Sequence, residues 1–321
     1  MRPARVVRKR QDSLASLHAA ASSLRRKYST PDLLRTYAPS FTTSRRETEW
    51  RNAAGRQLNL GAALLSLSVL ADSGVEHYRG SFQNRAMYIP LGVSALVFAG
   101  SLFGVADTRA RSHAARDSLY GLAAVAGVVG LGFHAYNILK RPGGVSWLNL
   151  FYAAPAGAPV ALVLAGALGR GAEKVREDRS SSILGRPAAQ TLGLLTSAGL
   201  AGTIAEAGLL HFRGAFQNPG MFLPVTLPPV AAGMLAAGVI NSGPTIRRAA
   251  RACLKLTALL GFGGVAFHAY GISRQMGGWR NWSQNILAGP PLPAPPSFTG
   301  LALAGLAALS LAEKEQRGQS I

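Results

Sequence analysis

The chain contains HYRGSFQN at residues 77–84 and, 134 residues later, HFRGAFQN at residues 211–218. FHAY at residues 133–136 also returns as FHAY at 267–270, with the same separation. A shared separation indicates that one unit was duplicated whole, and such internal repeats decide the architecture of a fold. Because 48% of the 321 residues are hydrophobic and only 15% are charged, the repeated polar residues are the first candidates for a functional site.

Long apolar blocks surround the repeated motifs. The mean hydropathy is +0.18, and a helix that crosses a bilayer needs about 20 apolar residues. Glycine and alanine fill the blocks, which is typical of closely packed helices in lipid. Eight blocks of this kind lie near residues 58–75, 86–106, 119–139, 147–168, 188–210, 221–240, 252–272 and 286–312.

The blocks and the duplication together predict an all-α integral membrane protein with eight transmembrane helices. Each copy of the repeat contains an even number of spans, so both copies enter the bilayer in the same direction and form parallel, same-topology four-helix repeats. Pro155 and Pro290 are matched between the copies and predict kinks in the fourth and eighth helices. The expected segments are a disordered basic tail over 1–56, repeat 1 over 57–170, a linker over 171–189, repeat 2 over 190–312 and a C-terminal tail over 313–321.

The net charge of +20 is distributed in a pattern typical of membrane topology. Of the 34 Lys and Arg residues, 13 lie in residues 1–57, 13 follow the even-numbered blocks and seven lie in the other connections, while Lys255 lies near the start of the seventh block. This positive-inside alternation argues against a nucleic-acid partner and predicts cytoplasmic termini. The composition favours a bacterial inner membrane, while the Arg- and Ser-rich N-terminal segment leaves the mitochondrial inner membrane as an alternative.

Four histidines are the strongest chemical candidates: His77, His134, His211 and His268. They lie at or near the ends of the first, third, fifth and seventh spans, so all four are expected at the outer, non-cytoplasmic face. Imidazoles from neighbouring helices can ligate haem b or share a transition metal with a carboxylate. The alternative is an aromatic interface belt that includes Tyr136 and Tyr270, in which each histidine bonds a loop carbonyl.

Two acidic residues stand inside predicted spans, at matching positions of the two copies. Asp72 and Glu206 each precede a motif histidine by five residues. An ionisable group inside a membrane is costly and is a functional candidate by default. We expect these carboxylates to be metal ligands, or to orient a ligating histidine from behind.

The loops that follow carry further candidates in both copies. Arg79 and Arg213 can clamp a carboxylate or phosphate, or they can pair with the acids of their own span. Asn84 and Asn218 are suited to cap the helix that follows. The glycine of each motif predicts a tight turn.

The sequence therefore favours a membrane subunit with a duplicated histidine site at the outer face. It would hold haem or a metal and pass electrons between a partner dehydrogenase and quinone. One alternative is a transporter or channel that uses Asp72 and Glu206 along a pseudo-twofold axis, and another is a cofactor-free membrane scaffold. Nucleotide-binding and hydrolase motifs are missing, and whether the chain is itself an enzyme stays open.

Overall fold

The structure is a computed structural model that describes residues 45–109, 111–153, 156–177, 182–240 and 243–319. These residues are almost wholly helical, with three single 3-10 turns and one short β-hairpin. The α-helices are α1 Arg45–Arg79, α2 Ile89–Ala106, α3 Ala114–Leu139, α4 Trp147–Phe151, α5 Gly157–Glu177, α6 Ala188–Arg213, α7 Leu223–Ile240, α8 Pro244–Ser273, α9 Trp282–Ala288 and α10 Pro296–Gln319. The 3-10 turns are Arg85–Tyr88, Pro219–Phe222 and Gly278–Asn281, and the hairpin pairs β1 (Ser182–Ile183) antiparallel with β2 (Arg186–Pro187).

Seven helices of the described chain are long and apolar enough to cross a membrane: α1, α2, α3, α6, α7, α8 and α10. The expectation of an all-α, multi-pass membrane protein is confirmed at this level. The fourth predicted span, near residues 147–168, is not among them. Its helix, α5, carries Arg170, Glu173, Lys174 and Arg176 in its second half, and these charges lower its hydropathy.

The fourth and eighth predicted spans are each divided in two. A short helix comes first, α4 or α9, and the long helix begins only at Gly157 or Pro296. We expected Pro290 to kink a helix. It lies instead in the non-helical segment between α9 and α10. Successive prolines cause this break because they lack the backbone N–H and restrict the preceding residue. Pro155 lies outside the described residues.

Two predicted boundaries also differ from the helix ends. The basic tail was expected to reach residue 56, but α1 is helical from Arg45, and residues 1–44 lie outside the described part. The linker was expected from residue 171, but α5 continues to Glu177 and the β-hairpin occupies part of the remainder.

The core lies where α1 and α10 meet, with α5 and α6 beside them. In the most apolar window of α10 72% of residues are buried, against 11% in α3, so α10 is central and α3 is peripheral. α10 packs against α6, α7 and α8, while α5 packs against α2, α3 and α6. Buried leucines and alanines from these helices form one continuous cluster.

Two glycines let α1 and α10 touch at the backbone. A β-carbon added to Gly61 would lie 2.7 Å from the carbonyl oxygen of Gly300, and one added to Gly300 would lie 2.9 Å from that of Gly61. Such close approach is the usual role of small residues between helices in lipid, where backbone contact replaces the hydrophobic effect. The first and last long helices of the described residues, α1 and α10, are therefore direct neighbours.

An ionic cluster joins α2, α3 and α5 at the end of the bundle where α5 finishes. The Asp107 carboxylate accepts hydrogen bonds from Arg109 at 2.9 Å and from Arg116 at 3.0 Å. Arg116 also donates to Glu173, at 2.9 Å. Hydrogen bonding from Arg109 in the first place, and from Arg116, holds the pKa of Asp107 well below its usual range.

Candidate functional site

The repeated motifs form the C-terminal ends of α1 and α6. In the first copy the Ser81 N–H donates to the Tyr78 carbonyl at 2.9 Å and the Phe82 N–H donates to the His77 carbonyl at 3.0 Å. In the second copy Ala215 and Phe216 make the same two bonds to Phe212 and His211, at 2.9 and 3.0 Å. This pair of bonds is the Schellman motif, which ends a helix with a left-handed residue.

The left-handed residues are not the glycines. Ser81 and Phe82 have φ of 56° and 45°, and Ala215 and Phe216 have φ of 55° and 46°. Gly214 has φ of −82°, so the expectation that the motif glycine supplies the turn is wrong. The glycine instead makes room, because a β-carbon on Gly214 would lie 3.0 Å from the terminal methyl of Met221.

The asparagines of the motif cap the 3-10 turns that follow, as expected. The Asn84 side-chain oxygen accepts from the Ala86 N–H at 2.9 Å, and that of Asn218 accepts from the Gly220 N–H at 2.8 Å. Phe82 stacks on Tyr88 with ring centroids 4.4 Å apart, and Phe216 stacks on Phe222 at 4.6 Å. The two loops therefore share backbone, cap and ring packing.

The first histidine of each copy bonds a backbone carbonyl across this loop. Nδ1 of His77 donates to the Met87 oxygen at 2.7 Å, and Nδ1 of His211 donates to the Met221 oxygen at 2.8 Å. A carbonyl oxygen only accepts, so Nδ1 carries a proton, and in the neutral ring the lone pair is then on Nε2. That tautomer is the one in which histidine ligates a metal through Nε2.

The second histidines lie on α3 and α8. Nδ1 of His268 donates to the Pro291 oxygen at 2.7 Å, so this ring also has its lone pair on Nε2. His134 lies at the matching position of α3, and both rings are partly buried. The structure brings His268 within electrostatic range of His211.

The two acids have different surroundings in the two halves. The Glu206 carboxylate accepts from the Gly157 N–H at 3.2 Å, which places it on the first residue of α5. The contact is so close that a β-carbon on Gly157 would overlap Oε2 of Glu206. Glu206 thus caps a helix of the other half, where a negative charge is favoured by the exposed N–H groups.

Asp72 makes no hydrogen bond or ion pair with any residue that the structure describes. Its charged neighbours are Glu206 and Glu76, so the two intramembrane acids are near one another although they come from different halves.

The motif arginines differ in the same way. Arg79 forms an ion pair with Glu76 at 2.8 Å, and both side chains are solvent-accessible. Arg213 instead lies over the Phe151 ring at 5.0 Å, within electrostatic range of Glu206. Its Nε is buried without a hydrogen-bond partner among the described residues. The expected pairing of arginine with acid thus occurs with Glu76 in the first copy rather than with Asp72.

The remaining candidates lie on the surface. Tyr136 and Tyr270 are both more than half exposed. Among the described residues, no three His, Cys, Asp or Glu side chains are close enough to hold one metal ion. Two histidines and a carboxylate therefore do not form a three-ligand site in this part of the chain.

Two asparagines that sequence reasoning missed hold matching loops beside the histidines. The Asn149 side-chain amide donates to the Gly144 oxygen at 2.8 Å, and that of Asn285 donates to the Gly278 oxygen at 2.8 Å. They are 136 residues apart rather than 134. An alignment of the two copies that allowed a two-residue insertion after the glycine pair would have matched these asparagines.

No protein family, curated protein or solved structure matches this chain.

Proposed function

We propose that the chain is a two-repeat membrane subunit for redox chemistry. α5 would be the additional span, which gives eight helices in two parallel four-helix repeats, with both termini in the cytoplasm of a bacterial cell. The matched turns, caps and histidine bonds of the two motifs support the repeat. The distribution of basic residues supports the orientation, which places the histidines at the outer face.

The histidine bonds are the observation that carries the redox proposal. Three of the four repeated histidines donate Nδ1–H to a carbonyl at 2.7–2.8 Å. Such a bond fixes the ring and raises the basicity of Nε2, as it does for ligating histidines generally. Haem needs only two axial nitrogens, so the lack of a three-residue group among the described residues does not bear on it. The electrons would pass between a dehydrogenase partner and quinone.

The test is the visible spectrum of the purified protein, oxidised and then reduced with dithionite, with metal analysis of the same sample. We expect a Soret band that shifts on reduction and is lost in His211→Ala and His268→Ala. His18→Ala serves as the control because it removes a histidine outside the repeat. A spectrum without haem bands, from protein that also lacks metal, would overturn the proposal.

A second candidate function is transport of a proton or cation, and the proximity of Asp72 to Glu206 favours it. Two interacting acids from different halves are typical of coupling sites in carriers. Reconstituted vesicles with a pH-sensitive dye inside would report proton flux. We expect flux to stop in Asp72→Asn and to persist in His268→Ala; flux that survives Asp72→Asn and Glu206→Gln would exclude this function. A protein with neither cofactor nor flux would be a scaffold.

A further inference from the structure

One face of α8 changes its chemistry along its length. Residues at intervals of three or four are exposed from one end of the helix to the other, so they form one continuous stripe. In order, this stripe consists of Arg248, Ala252, Lys255, Leu259, Phe262, Ala266 and Tyr270. It is basic near the start of the helix, apolar in the middle and aromatic near the end.

The two basic residues of this stripe are free. Arg248 and Lys255 make no hydrogen bond or ion pair with the residues that the structure describes. The other arginines of this end are engaged: Arg251 pairs with Glu313 at 2.9 Å, and Arg247 donates to the Gly238 oxygen at 3.0 Å. The stripe therefore carries two positive charges that nothing within the described protein neutralises.

The length of α8 places these charges at different depths. At 1.5 Å per residue, Arg248 lies about 33 Å from Tyr270 along the axis, which is close to the ~30 Å thickness of the hydrocarbon. Lys255 then lies about 10 Å deeper than Arg248. A lysine at that depth extends its stem toward the interface, so its ammonium approaches the level of Arg248.

From this arrangement we propose that the Arg248–Lys255 face of α8 binds one phospholipid with an anionic headgroup. The guanidinium and the ammonium contact the headgroup phosphate, and the acyl chains lie along Leu259 and Phe262, which are 65% and 63% exposed. Charge complementarity identifies the headgroup, and the apolar continuation of the same face identifies a lipid rather than a soluble anion. The proposal depends neither on haem nor on transport.

The first half of the molecule provides an internal comparison. The matching stripe of α3 has Ala114, Ser118 and Gly121 at the positions of Arg248, Ala252 and Lys255. It is exposed in the same periodic way over Val125, Val128 and Tyr136 but carries no charge. The lipid site belongs to the second half alone.

The experiment measures lipid retention by native mass spectrometry after exchange into mixed phosphatidylglycerol and phosphatidylcholine. Wild type should retain phosphatidylglycerol selectively. In Arg248→Gln with Lys255→Gln, selectivity should fall roughly fivefold for each charge removed. Arg111→Gln with Arg186→Gln removes the same charge outside α8 and should change nothing. Equal selectivity in wild type and the α8 variant would overturn the proposal.

Two further experiments distinguish a specific lipid site from nonspecific electrostatic attraction. Ala114→Arg with Gly121→Lys transfers the basic pair to α3, where a side chain at Gly121 meets open space, and should add a second retained phosphatidylglycerol. Soluble glycerol phosphate should not displace the lipid from wild type, because it lacks acyl chains. Displacement by glycerol phosphate at equal concentration would show a soluble-anion site instead.

Discussion

At the scale of single residues, Ser81 and Ala215 hold a left-handed backbone that glycine adopts more easily. An L-residue in this conformation costs about 1–2 kcal/mol, while glycine loses roughly 0.5–1 kcal/mol of backbone entropy on folding. We expect Ala215→Gly to stabilise the protein by about 0.5–1 kcal/mol, measured by thermal unfolding in detergent. Ala201→Gly, at an exposed position inside α6, should destabilise it, and the same sign for both changes would refute the argument.

The unequal surroundings of the two acids give a second residue-scale prediction. Glu206→Ala removes the acceptor of the Gly157 N–H and leaves that group unpaired, so we expect a loss of about 1–2 kcal/mol. Glu206→Gln keeps an oxygen and should lose less than half of this. Asp72→Asn should leave the unfolding temperature within error of wild type, because Asp72 has no such bond in the described structure. A loss in Asp72→Asn equal to that in Glu206→Ala would contradict this assignment.

Asp107 provides the prediction for pH dependence. Its pKa is lower in the folded protein than in the unfolded chain because Arg109 and Arg116 donate to it. A lowered pKa contributes stability that is complete above the unfolded value, about 4, and is lost as the pH falls toward the folded value. We expect Asp107→Asn to be less stable than wild type by a constant amount above about pH 5, and the difference to shrink in stronger acid. The difference in stability between wild type and Asp107→Asn is measured by unfolding between about pH 3 and 8, in steps of about one pH unit. A difference that grows in acid would contradict the prediction.

Much of the site was accessible from residue types and spacing alone. The repeat identified the four histidines, the capping asparagines and the two acids, because duplicated polar residues are visible in an apolar chain. Their partners were not accessible. Met87 and Pro291 accept through backbone oxygen, which every residue has, and Gly157 donates through backbone nitrogen, so side-chain identity carries no information about these contacts.

At the scale of helices, backbone contact between α1 and α10 makes Gly61 intolerant of change. A methyl group 2.7 Å from the Gly300 oxygen must push the two helices apart, and overpacking of this kind costs about 1–3 kcal/mol. We expect Gly61→Ala to lower the unfolding temperature. Gly202→Ala, where the added methyl meets nothing within 4 Å, should raise it through better helix propensity. If both changes stabilise the protein, α1 and α10 are not in backbone contact.

Helix existence followed from the sequence more reliably than helix ends. Apolar blocks near 86–106, 119–139 and 221–240 correspond to α2, α3 and α7, because a proline or a polar turn follows soon after each. The blocks near 147–168 and 286–312 were each predicted to form one helix with a kink at Pro155 or Pro290. In the second block the chain breaks instead of kinking, because Pro290, Pro291 and Pro293 follow one another closely and no helix continues through them.

At the scale of the whole molecule, neighbour relations between helices were beyond the sequence. The composition of α1 and α10 does not predict that they are in contact, since glycine and alanine occur in all the spans. Nor did the repeat predict the differences between its copies. Glu206 reaches α5 whereas Asp72 reaches no helix terminus, and α8 is basic on one face where α3 is neutral.

The contact of Gly61 with Gly300 also has a consequence for synthesis. About 240 residues separate the two glycines, so at roughly 5–20 residues per second the ribosome needs about 12–50 s to supply α10 after α1 has emerged. During that interval the glycine face of α1 is covered by lipid or by a chaperone. A chain that terminates before α10 never replaces this cover with its own last helix, so an incomplete copy keeps a small-residue face without its protein partner.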